Sequence, residues 1–90
     1  MTTTLYLVQI DGLGIDPRAQ AIAAAGEADL HELAPGLFLI QSARTRSQLY
    51  HALKRRFAPD RLLVAALAEA PKFKGMAPGA LAWLRARGHG

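Results

Sequence analysis

Thr4-Leu5-Tyr6-Leu7-Val8-Gln9-Ile10 is the stretch on which the fold turns. β-branched and aromatic types dominate it, and these favour an extended backbone. Alternation puts Leu5 and Leu7 on one face and Tyr6, Val8 and Ile10 on the other. Both faces are apolar, so the strand belongs in the middle of a sheet with cover on both sides.

Outward from it, Asp11-Gly12-Leu13-Gly14 breaks the strand. Asp16 and Pro17 form a helix start, a side-chain acceptor followed by a residue with φ preset. That helix runs through Ala19, Ile22 and Ala23 to about Ala25, and Gly26 is its stop. The stretch from Glu27 to Ala34 alternates with many polar residues, which suits an edge strand. Pro35-Gly36 is a turn signal, and Leu37-Phe38-Leu39-Ile40-Gln41 is a second strand that is apolar on both faces. Thr45-Arg46-Ser47-Gln48 has the spacing of a capping box, hydroxyl first and Gln three residues later. The helix it opens carries Leu49, Leu53 and Phe57 at i, i+4 and i+8. Its other face carries Lys54, Arg55 and Arg56, cations suited to a helix C-terminus. Pro59-Asp60 closes it. Arg61 to Ala68 is a strand or a short helix, and the order of the elements before it favours a strand. A loop from Pro71 to Met76 leads to a last helix that starts at Pro78, with Leu81, Trp83 and Leu84 expected to face inward.

The order β-α-β-β-α-β plus a helix predicts an α+β protein, one ferredoxin-like domain over residues 1–90 with a four-stranded antiparallel sheet and an extra C-terminal helix. Strands one and three are central in that arrangement, and they are the two read as apolar on both faces. Two helices cover only one face of such a sheet. A second copy of the chain is the simplest cover for the other, which predicts a homodimer, and the terminal helix is the alternative.

Ninety residues suffice for one domain with a modest core. The absence of cysteine excludes disulfide scaffolds, thiolate zinc sites and cysteine nucleophiles. No apolar run approaches the roughly 20 residues that cross a bilayer, and the start of the chain does not read as a signal peptide. A cytoplasmic protein without a membrane partner is the expectation. The net charge of +4 hides a split. Residues 1–43 hold one base against five acids, giving −4, whereas residues 44–90 hold ten bases against two acids, giving +8. Such a division points to an anionic partner for the second half, or to acidic and basic surfaces meeting between subunits. A solvated basic surface is the plain alternative.

Two sets of residues could carry chemistry. Asp11 ends a central strand beside a flexible turn, where a carboxylate either bonds its own backbone or holds a divalent cation such as Mg2+ through oxygen. In a symmetric dimer its twin would supply a second carboxylate. The second set is basic: Arg44 and Arg46 before the second helix, Lys54, Arg55 and Arg56 at its end, and Lys72 and Lys74 flanking Phe73. Such residues neutralise phosphates without reading sequence. Tyr6 and Phe38 are the strand aromatics that could stack bases, too few to resemble an RNA-reading sheet, so backbone binding to a duplex is favoured. Gly12 and Gly14 lack the spacing of a dinucleotide fingerprint. His31, His51 and His89 share no metal-ligand spacing, and no base partner accompanies Ser42 or Ser47.

The chain resembles the small CRISPR-associated adaptation endonuclease family and, more closely, its SinR-like relatives. The residues that carry the resemblance are the first strand Leu5 to Asp11, the third strand Leu37 to Ile40, the helix start Thr45 to Leu49, the fourth strand Asp60 to Val64, and Trp83-Leu84 near the end. Together they extend over residues 4–87. The resemblance implies a ferredoxin-like homodimer in which the Asp at the end of strand one binds metal for phosphodiester hydrolysis, a place held here by Asp11. It also implies relatives that bridge integrase subunits and grip duplex DNA, and a toxin-like branch that cleaves RNA. This chain departs from the pattern by following Asp11 with Gly-Leu-Gly and by offering no second clear acidic partner in that loop. The leading expectation is therefore a nucleic-acid-binding homodimer. A metal-dependent nuclease using Asp11 from both subunits is the enzyme alternative, and a scaffold or regulator with a protein partner is the third.

Overall fold

A computed structural model describes residues 3–12 and 29–89. The helix expected from Asp16 to Ala25 lies outside the described residues. Four strands form one sheet: β1 (Thr4–Asp11), β2 (Leu30–Ala34), β3 (Leu37–Ser42) and β4 (Arg61–Ala66). Two helices accompany them among the described residues, α1 (Arg46–Phe57) and α2 (Ala80–Ala86). The strand order is β2-β3-β1-β4, and every neighbouring pair is antiparallel. The protein is therefore of the α+β class with a four-stranded antiparallel sheet. β1 and β3 lie in the middle, as their apolar faces require, and the polar β2 lies at an edge.

The β2–β3 turn shows how local chemistry sets register. Pro35 occupies its first central position and Gly36, at φ 78°, its second, the residue pattern of a type II turn. Gly36 carbonyl accepts a 2.8 Å hydrogen bond from the Ile10 amide, which ties the turn to the central strand. Alternation from Leu30 puts Leu33 in the layer on the second face of the sheet, and the register shifts between Glu32 and Ala34.

Two apolar layers result, one on each face of the sheet. Tyr6, Val8, Ile10, Phe38 and Ile40 pack against Leu49 and Leu53 of α1, with Leu30, Phe57, Leu62 and Val64 at the margin. Leu5, Leu33 and Leu39 pack against Ala80 and Leu84 of α2, with Leu7, Leu37, Leu67, Phe73, Met76 and Trp83 around them. The second face is thus covered by residues 67–89 of the same chain. The cover is pinned by backbone hydrogen bonds from Leu67 to Leu5 (2.9 Å) and from Ala77 to Leu33 (2.8 Å). Further out, Arg87 pairs with Asp29, and His89 Nε2 lies 2.9 Å from Gln41 Oε1. The terminal helix, offered as the alternative cover, fills this place, so Leu5, Leu33 and Leu39 do not require a second copy to bury them.

Two expectations about that helix need correction. It begins at Ala80 and not at Pro78, with Gly79 as its cap at φ 91°. Leu81 points outward and is 48% exposed. The inward stripe is Ala80, Trp83 and Leu84 at i, i+3 and i+4. Leu81 sits one step off that stripe, in line with the exposed Arg85. None of the helices among the described residues is long and apolar enough to cross a membrane.

Candidate nucleic-acid interface

The candidate surface is built from the β3–α1 connection onward. Ser42 is buried at the end of β3, and its Oγ accepts a 3.1 Å bond from the Arg44 amide. That side-chain turn competes with strand geometry and lets the chain leave the sheet. The Tyr6 hydroxyl donates a 2.7 Å bond to the Arg44 carbonyl, fastening the connection to β1. Thr45 then caps α1. Its hydroxyl oxygen accepts from the Gln48 amide (3.1 Å), and Gln48 Oε1 accepts from the Thr45 amide (2.9 Å), which is the reciprocal pair the sequence predicts.

With Leu49 and Leu53 buried and Phe57 at the margin of the core, the charged residues of α1 face out. Arg46, Lys54, Arg55 and Arg56 are all exposed, as is Arg44 just before the helix. Two rings lie among them. Tyr50 and His51 meet edge to face at 5.2 Å, and Lys54 Nζ stands 5.9 Å from the Tyr50 ring centre, within cation–π range. The sequence holds no acid between Glu32 and Asp60, so α1 carries no carboxylate to neutralise its cations. Arg46 and Arg56 are separated by about 15 Å along the helix axis. That length matches about four successive phosphates of one duplex strand.

Lys72 and Lys74 sit elsewhere. Phe73 between them packs into the layer on the second face of the sheet, whereas α1 covers the first. The basic residues named from the sequence thus divide into an α1 group of five and a pair in the C-terminal cover. The strand aromatics are not available to bases: Phe38 and Tyr6 are buried beneath α1.

Asp11 is half-buried at the end of β1 and pairs in register with Arg61. Antiparallel pairing of β1 with β4 brings Asp60 to the same corner. A Cβ on Gly12 would lie 2.6 Å from the Asp60 amide nitrogen and 3.1 Å from its Oδ2. Only a glycine permits that approach. The sequence reading missed Asp60 because forty-eight positions separate it from Gly12; the one hint was its place at the start of the fourth strand. No group of three or more His, Asp or Glu able to hold a metal occurs among the described residues. Asp60 stands beside Gly12, which alternation places on the face opposite Asp11, so Asp11 is a single carboxylate there, though Mg2+ is commonly held by one or two carboxylates with waters and phosphate oxygens.

No family model, curated protein or solved structure matches the chain.

Proposed function

We propose that the chain is a ferredoxin-like, nucleic-acid-binding protein, homodimeric and related to the CRISPR-associated adaptation family, that grips a phosphate backbone through α1. The fold part rests on the strand order β2-β3-β1-β4 with antiparallel neighbours throughout, together with α1 packed on one face. The observation that carries the binding part is the exposed cationic side of α1, a helix whose own residues include no carboxylate. Arg44, Arg46, Lys54, Arg55 and Arg56 contact phosphates, and Tyr50 and His51 lie within the same surface. Duplex DNA is the preferred ligand, because the strand aromatics that would stack single-stranded bases are covered.

Mobility shifts against duplex DNA, single-stranded DNA and RNA test this reading. About four phosphate contacts predict a loss of affinity on the order of 100-fold between 50 and 200 mM salt. Arg55→Glu with Arg56→Glu should weaken duplex binding at least about tenfold and flatten the salt dependence. Binding to none of the three nucleic acids at 50 mM salt sinks the proposal.

A second reading is a Mg2+-dependent nuclease using Asp11 from both subunits, supported by the half-buried place of Asp11 at the end of the central strand β1. Asp11 from each subunit would hold the cation, which would supply charge stabilisation at a phosphodiester. Magnesium-dependent cleavage that is abolished in Asp11→Asn supports it. Cleavage that persists in the variant assigns the activity to another site or a contaminant.

A further inference from the structure

The cover on the second sheet face carries a feature that the α1 surface does not use. Pro71, Lys72, Phe73 and Leu81 line a shallow groove of 290 Å3. Leu81 forms an apolar wall that is 48% exposed. Leu63 is 51% exposed, and because its neighbours Leu62 and Val64 pack under α1, it points to the groove's side of the sheet. These are the large exposed apolar side chains among the described residues. A single exposed leucine is ordinary, but Leu81 is here one wall of a groove.

Every charged side chain of Asp, Glu, Lys or Arg type from Pro71 onward is a base. Lys72 is part of its wall, Lys74 follows two residues on, and Arg85 lies one helical turn beyond Leu81 on the same exposed stripe. The sequence has no carboxylate after Glu69. The nearby Arg87 is already engaged, paired with Asp29 and stacked 4.0 Å over the Trp83 ring. The occupant must therefore bring its own carboxylates and an apolar side chain.

We propose that this groove docks an acidic peptide segment of a partner protein, with one large apolar side chain seated between Phe73 and Leu81 and flanking carboxylates on Lys72, Lys74 and Arg85. Its shape decides against a lipid surface. A bilayer takes apolar groups that protrude from an amphipathic helix, whereas here the apolar walls are concave and α2 has only seven residues. The volume lies just below the roughly 300–1,000 Å3 of small-molecule pockets, which suits one side chain. A nucleic acid would use the lysines but leave the apolar walls without a partner.

The test is selection of a phage-displayed random dodecapeptide library on the intact protein, then synthesis of the enriched peptide for fluorescence anisotropy. The expected consensus has Leu, Phe or Trp flanked by Asp or Glu. Leu81→Ser should weaken that peptide about tenfold, as loss of a central apolar contact does. Lys72→Glu with Lys74→Glu should weaken it by a similar factor and reduce its on-rate. Arg55→Glu with Arg56→Glu should leave it unchanged, which separates this surface from the α1 surface. A consensus without acids or without a large apolar residue overturns the proposal. So does a peptide indifferent to Leu81→Ser, or one displaced by duplex DNA or by phosphatidylserine vesicles.

Discussion

Gly36 has two reasons to be glycine, and they act independently. Its φ of 78° lies in the left-handed region, where an L side chain costs about 1–2 kcal/mol. A Cβ there would also sit 2.8 Å from the Ile10 carbonyl oxygen, on the central strand that both apolar layers share. Backbone cannot swing aside as a side-chain tip can. Gly36→Ala should therefore lower stability by about 2–4 kcal/mol, strain and contact together, read as a fall in the urea midpoint at unchanged slope. An unchanged midpoint would show that the turn relaxes freely and does not fix the hairpin. Ala58 offers a contrast: it adopts a left-handed conformation (φ 46°) at the end of α1 with its amide bonded to the Lys54 carbonyl, without a glycine to ease it. The Thr45 cap could be read from sequence because its bonds join residues three apart, and the Pro35-Gly36 turn because its residue types set the backbone locally. The meeting of Asp60 with Gly12 could not, because it exists only once β1 and β4 pair.

At the level of strands and helices, periodicity was informative wherever one face had a single fate. The alternation in β1 separates Tyr6, Val8 and Ile10 from Leu5 and Leu7, and the two layers divide them in the same way. α1 buries Leu49 and Leu53 as the i, i+4 spacing requires. β4 was ambiguous because Leu and Ala favour a helix by propensity. Pairing with β1 along Tyr6 to Asp11 overrides that preference. α2 was misread by phase: Leu81 and Leu84 are equally apolar, and nothing local says which one faces the sheet. Contact with β2 and the small Ala80 decide it. The basic residues were legible as a set but not as a surface. Residues 44–56 and 72–74 look like one charged half in the sequence, and the sheet separates them.

Across the whole molecule, a sheet with an apolar layer on each face raises the question of whether both layers fold as one unit. The layer over Leu5, Leu33 and Leu39 is made by residues 67–89, of which only Ala80 to Ala86 are helical. Its anchor is Leu84, fully buried. β1 and β3 contribute side chains to both layers, so loosening one face withdraws support from the strands that form the other. This coupling predicts that Leu84→Ala costs about 2–5 kcal/mol, a large part of the roughly 5–15 kcal/mol typical of a domain, and that the loss is global. The chain has a single tryptophan, Trp83, which sits in the second layer. Its fluorescence therefore reports that face, while far-UV circular dichroism reports the whole. Coincident urea transitions by the two probes, both shifted by the substitution, are expected of one cooperative unit. A fluorescence transition that moves to lower urea while the dichroism stays put would mean that the cover detaches from a sheet that stands without it. The second face would then be open to a second copy of the chain, and the protein-concentration dependence of the dichroism midpoint would reveal that association.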